Sequence, residues 1–84
     1  MQYEIRFTKE AVKDTKKLNE KQRKKLKDIL IHQIAIDPFC GKKLTGNLNG
    51  CHSVRLNIHD RIVYSIDPQT KIVTILKTKT HYGD

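Results

Sequence analysis

Apolar and polar residues alternate at the start of the chain, where Tyr3, Ile5 and Phe7 interleave with Glu4 and Arg6, the period-2 signature of a half-covered strand. The spacing then lengthens. Thr8 is suited to cap a helix, with Glu10 in its first turn, and Ala11, Thr15 and Leu18 fall on one stripe with lysines opposite. Asn19 and Gln22 resemble a capping box, which predicts a second helix with Leu26, Ile29, Leu30 and Ile34 at helical spacing, ending before Asp37-Pro38. Residues 37–50 read as a loop rich in Gly, Asn and Lys. Alternation returns in Val54, Leu56 and Ile58, and again in Ile62, Tyr64 and Ile66, with a tight connection near His59-Asp60. Asp67-Pro68-Gln69-Thr70 is a turn by composition, and a last strand runs over Lys71–Lys77. The order is β-α-α-β-β-β. It predicts an α+β fold, a small antiparallel sheet whose C-terminal strands form a meander, with a helix pair on one face.

Eighty-four residues leave room for one hydrophobic core, so residues 1–84 are read as one domain with a thin core and one sheet face open. Charge suggests what that face meets. Seventeen Lys and Arg against nine Asp and Glu give +8, which favours polyanions: nucleic acid, or an acidic protein partner. The run Lys13, Lys16, Lys17, Lys21, Arg23, Lys24, Lys25 and Lys27 reads first as a solvated helix surface, with a grip on ribosomal RNA as the alternative. Met1–Arg6 lacks the apolar run of a signal peptide, and no stretch approaches the roughly 20 apolar residues of a membrane span. Cys40 and Cys51 make no disulfide framework, and with His52 and His59 they match no familiar zinc spacing. The expectation is a cytoplasmic chain with reduced thiols, no membrane association, no metal and no cofactor.

Alternation also sorts the charged residues. If Val54, Leu56 and Ile58 pack under the helices, Arg55 stands on the open face, and Arg61 lies across a short hairpin from it. Lys77 and Lys79 leave the last strand toward the same end, followed by His81 and Tyr82. These residue types suit phosphodiester cleavage. RNA is cut when its own 2′-OH attacks the adjacent phosphorus, and the protein must move two protons and stabilise charge on the phosphoryl oxygens. Histidine titrates near neutrality and serves as acid or base. Arginine stays charged and holds phosphate oxygens in pairs. Tyr82 is suited to stack on a base or orient a phosphate. The catalytic candidates are therefore Arg55, Arg61, His81 and Tyr82, with Lys42, Lys43, Lys77 and Lys79 as RNA-binding candidates.

The chain resembles the RelE/YoeB-type toxins, the mRNA-interferase half of bacterial type II toxin–antitoxin pairs. The resemblance runs through Asp37-Pro38-Phe39, Lys43-Leu44 and Asn47-Leu48-Asn49-Gly50, then Ser53-Val54-Arg55-Leu56 and Arg61-Ile62-Val63-Tyr64, and closes with Thr80-His81-Tyr82. It implies a microbial RNase-like fold, cleavage of mRNA in the ribosomal A site, and a small acidic antitoxin with a segment that folds on binding. Arg55, Arg61, His81 and Tyr82 fall on active-site positions of YoeB-like toxins.

Two departures bear on mechanism. YoeB-like toxins usually carry a glutamate, thought to be the general base, before the N-L-x-G element, whereas residues 40–46 here hold no carboxylate. The S-R-R run of the family is Ser53-Val54-Arg55, and RelE has lysines at the positions of Ser53 and Arg55. The candidate bases are then His59, Lys42 or Lys43, or the 2′-OH is activated mainly by electrostatics. Two other readings stay open: a ParE-like toxin of the same fold that acts on DNA gyrase, and a non-catalytic RNA- or partner-binding module.

Overall fold

The computed structural model describes residues 2–46 and 50–79. The first strand, β1 (Glu4–Phe7), leads into α1 (Lys9–Lys17), and Thr8 caps that helix by accepting a hydrogen bond from the Ala11 amide at 3.1 Å. Asn19 does the same for α2 (Glu20–Ile29), accepting from Gln22 at 2.8 Å. Each cap contributes about 1 kcal/mol and fixes where its helix begins.

The second helix departs from the expected end. Its α-helical part stops at Ile29, and Leu30–Ile34 continue as a π-helical turn, with the Ala35 amide donating to the Leu30 carbonyl at 2.8 Å. The wider turn keeps Ile29, Leu30 and Ile34 all buried. It also brings the Ala35 carbonyl to the Tyr3 amide, 2.7 Å away, tying the helix end to the start of β1.

Residues 37–50 are not all loop. Pro38–Cys40 form a 3-10 turn capped by Asp37, and Lys42–Lys43 form a short strand, β2. Then come β3 (Cys51–Arg55), β4 (Arg61–Asp67) and β5 (Ile72–Lys77). The sheet order is β1-β5-β4-β3-β2, with β1 parallel to β5 and the other pairs antiparallel. The expected C-terminal meander is present, flanked by β1 on one side and β2 on the other.

One face of this sheet packs under the helices. Leu56, Ile62, Tyr64, Val73 and Ile75 join Ala11, Leu18, Leu26, Ile29 and Ile34 in a single core, with Ile5, Val54 and Ile66 at its margin. Burying each large aliphatic side chain contributes about 1.5–3 kcal/mol. The expectation for Ile58 fails: it is 84 % exposed. The strand has already ended at Arg55, because the Leu56 and Asn57 amides both donate to the Asp60 carbonyl and the chain turns there. Among the described residues, no helix is long and apolar enough to cross a membrane.

Candidate active site

Arg55 and Arg61 are direct cross-strand partners in the β3–β4 hairpin. Partners in an antiparallel pair project to the same face of the sheet, about 4.5–5.5 Å apart at Cβ. That face is the one away from the helices, since the neighbouring pair Val54 and Ile62 belongs to the core side. The next row on the arginine face runs across four strands. Lys42 pairs with Ser53, Ser53 with Val63, and Val63 with Lys77. Lys42, Arg55 and Lys77 are exposed and Arg61 is half-buried, while Ser53 and Val63 are buried in the row's centre.

A bulge puts Lys77 there. Tyr64 pairs with Ile75 but Val63 pairs with Lys77, so two residues of β5, Leu76 and Lys77, pass for one of β4. Strict alternation from buried Ile75 would have sent Lys77 under the helices. The next residue, Thr78, takes that inward position instead. It is fully buried, shares a hydroxyl hydrogen bond with Thr15 at 3.0 Å and donates its amide to Asp14 at 3.4 Å.

The three candidate bases separate by register. Lys42 lies on the arginine face, opposite Ser53. Lys43 pairs with His52 and so projects to the other face, where the His52 ring stacks on Tyr64 with centroids 6.0 Å apart. His59 sits at the tip of the β3–β4 hairpin, its amide donating to Asn57 Oδ1 at 2.8 Å. There it lines a recess of about 460 Å³ together with Lys17, Gln22, Ile58 and Lys79. Lys79 thus faces the recess at the hairpin tip, while Lys77 lies in the row on the arginine face. His81 and Tyr82 lie outside the described residues.

Tyr64, the last residue of the R-I-V-Y motif in β4, is a fixture of the core. It is fully buried and its hydroxyl donates to the Pro38 carbonyl at 2.7 Å, holding the 3-10 turn against the sheet. Burial, with the nearby Cys40 adding to it, raises its pKa well above the usual tyrosine value. Gly41 follows that turn because nothing larger fits: a Cβ there would stand 2.3 Å from the Tyr64 hydroxyl and 2.8 Å from the Ser53 carbonyl. The Cys40 thiol is also pushed up, by burial first and then by the Asp37 carboxylate. Among the described residues, no three of His, Cys, Asp and Glu gather as a metal-ligand set.

Sequence reasoning gave Ser53 no role. Its Oγ is buried in the middle of the cationic row and has no hydrogen-bond partner among the described residues. The signal available was its place two residues before Arg55, on the same side of the strand.

The fold is a small α+β one, a five-stranded sheet with helices over one face and basic residues on the other. The family model of YoeB-like toxins of bacterial type II toxin–antitoxin systems matches residues 7–82. The chain belongs to that family. Its structure is similar to one in the RelBE2 toxin–antitoxin complex of Mycobacterium tuberculosis, with 29 % identity and a TM-score of 0.85 over 98 % of this chain and 100 % of that one. It is also similar to one in the YoeB–YefM complex of Staphylococcus aureus, at 30 % identity and a TM-score of 0.79, again over 98 % and 100 %. The Escherichia coli RelBE toxin–antitoxin complex, at 22 % identity and a TM-score of 0.78 over 95 % of this chain and 98 % of that one, shares the fold. No curated protein sequence matches the chain significantly.

Proposed function

We propose that this toxin is a ribosome-dependent endoribonuclease that cuts mRNA in the A site by attack of the substrate's own 2′-OH. The observation that carries the reading is the register that sets Arg55 opposite Arg61 on the sheet face away from the helices, beside a row ending in Lys42 and Lys77. In the reaction the 2′ oxygen bonds to phosphorus, the bond to the 5′ oxygen breaks, and a 2′,3′-cyclic phosphate and a 5′-OH result. One proton leaves the 2′-OH and one is delivered to the departing oxygen. Arg55 and Arg61 hold the phosphoryl oxygens as charge builds on them, a kind of contribution whose loss typically costs about 10²–10³ in rate. Lys42, on the same face, takes the place beside the 2′-OH left open by the missing glutamate. It favours loss of that proton by charge. The acid/base role of His81, and the stacking role of Tyr82 beside it, rest on the sequence.

Two partners follow from this reading: mRNA on the ribosome, and a cognate antitoxin. The antitoxin is a small acidic protein with a segment that folds over the cationic face, a partner type supported by the RelBE2 and YoeB–YefM complexes. The test is primer extension on a message in a purified translation system, run beside a gyrase supercoiling assay. Cuts within A-site codons that vanish with Arg61→Ala support the reading. An intact message with inhibited gyrase would favour the ParE-like alternative.

A further inference from the structure

We propose that Gln22 and Asn57 are positioning residues for the paired arginines. A hydrogen-bonded chain from α2 through Asn57 to Asp60 sets the geometry of the hairpin end on which Arg55 and Arg61 stand. This rests on the ribonuclease reading and assigns part of the catalytic geometry to the far side of the sheet.

Arg55 opposite Arg61 is the last paired rung of the β3–β4 ladder. One step on in the same register, the Leu56 amide donates to the Asp60 carbonyl at 3.0 Å, and the Asn57 amide reaches the same carbonyl at 3.2 Å. Leu56 is fully buried on the helix side, so this step is pinned to the core. The Asn57 side chain then closes the connection. Its Oδ1 accepts from the His59 and Asp60 amides at 2.8 Å each, and its Nδ2 donates at 3.0 Å both to Asp60 Oδ2 and to Gln22 Oε1. Four hydrogen bonds use the full capacity of a carboxamide and fix which way it points. Gln22 is held in turn, because its amide donates to Asn19 Oδ1 at 2.8 Å in the cap of α2. The connection thus hangs from the start of a helix by one side-chain bond.

The arrangement is better suited to fixing geometry than to adding stability. Asp60 is buried, and its Oδ1 has no hydrogen-bond partner among the described residues. A buried carboxylate satisfied on one side only is costly, and an apolar or solvated turn would close the same hairpin more cheaply. What the network supplies is a rigid step directly beyond two like charges that tend to move apart. The arginines project from the opposite face, so the route is the backbone of the hairpin, not contact with the guanidiniums. Two guanidiniums that share one phosphoryl group need a fixed separation, and a misplacement of about 1 Å at a reacting centre costs about 10²-fold. Second-layer hydrogen bonds that lock a supporting backbone are the usual means of holding such a separation.

The experiment compares Gln22→Met, which removes the acceptor, with Gln22→Glu, which keeps an acceptor oxygen and sets its charge in the recess lined by Lys17 and Lys79. Cleavage of ribosome-bound message is followed at a temperature where circular dichroism shows each full-length variant folded. Gln22→Met is expected to lower the maximal rate about tenfold, a partial misplacement. Its KM should stay within about twofold of wild type, as for an interaction that matters only in the transition state. Gln22→Glu should restore the rate. In an Arg61→Ala background, Gln22→Met should slow the reaction less than it does alone, because the pair it positions is already broken. A readout independent of cleavage accompanies these. The nitrogen-15 side-chain and backbone N–H signals of Arg55 and Arg61 in the free toxin should move in Gln22→Met and return in Gln22→Glu. Unmoved arginine signals would overturn the positioning role. So would equal losses in the two Gln22 variants, a raised KM at an unchanged rate, or a full additional loss in the Arg61→Ala background. A message that wild type leaves uncut tells against the ribonuclease reading alone, and the arginine signals then still decide the positioning.

Discussion

Arg55 and Arg61 sit directly opposite each other across the β3–β4 hairpin, two like charges held as a cross-strand pair. Like charges in that arrangement repel and destabilise a sheet by a few tenths of a kcal/mol or more. In the proposed reaction a substrate phosphate lies against both side chains. In that reaction, replacing either arginine with alanine should lower the cleavage rate about 10²–10³-fold. The double variant should fall less than the product of the two, because both act on one phosphoryl group. Single-turnover cleavage on programmed ribosomes, with melting curves alongside, checks this.

The sheet register separates two adjacent lysines. Lys42 shares the arginine face and Lys43 projects to the other. Lys42→Ala should slow cleavage by about 10²-fold, the low end of a lost electrostatic contribution at a reacting centre. Lys43→Ala should leave the rate within about twofold, as expected of a solvated side chain away from the site. Comparable losses in both variants would break the link between register and function.

Tyr64 makes a prediction about stability and pH. Tyr64→Phe removes the hydrogen bond to the Pro38 carbonyl and should cost about 1–3 kcal/mol in urea unfolding. Because burial raises the phenol's pKa above its unfolded value of 10.0, the folded state keeps a proton that the unfolded chain gives up. Stability from this source is intact below pH 10 and declines above it. Wild type should lose stability between about pH 10 and 11.5 more steeply than Tyr64→Phe, a comparison that unfolding curves at matched pH decide.

Gly41 is required by contact, since a Cβ would press into the Tyr64 hydroxyl and the Ser53 carbonyl. Gly41→Ala should destabilise the fold by about 1–3 kcal/mol, as overpacking typically does. Combining it with Tyr64→Phe should cost less than the sum, because the phenylalanine removes the closest clashing atom. Calorimetric melting of the three variants measures that coupling.

Much of this was legible in the chain. The alternation around Ile5, Ile62 and Val73 marks strands with one covered face, and Thr8 and Asn19 mark the helix starts by side chains that do cap. The hairpin carried the pairing of Arg55 with Arg61, since two strands joined by a short turn keep their faces in step. Other features have no local signal. Lys42-Lys43 has no strand pattern of its own and becomes a strand only by pairing with β3. Ile58 continues the period of Val54 and Leu56 in sequence, but Asn57 turns the backbone with its own side chain, and the residue is left in solvent. The side to which Lys77 projects depends on a bulge, and the place of Lys79 depends on Thr78 docking inward against Thr15. Both are decided by packing between distant elements, which no short window of sequence contains.

The most direct test of the mechanism replaces a single 2′-OH. A message with all-ribose nucleotides in the A-site codon is compared with one carrying a 2′-deoxy sugar at the cut position, each on ribosomes with wild-type toxin. Attack by the substrate's own 2′-OH predicts cleavage of the first, leaving a 5′-OH end, and an intact second message. Cutting of the deoxy-substituted codon at the same rate would contradict it.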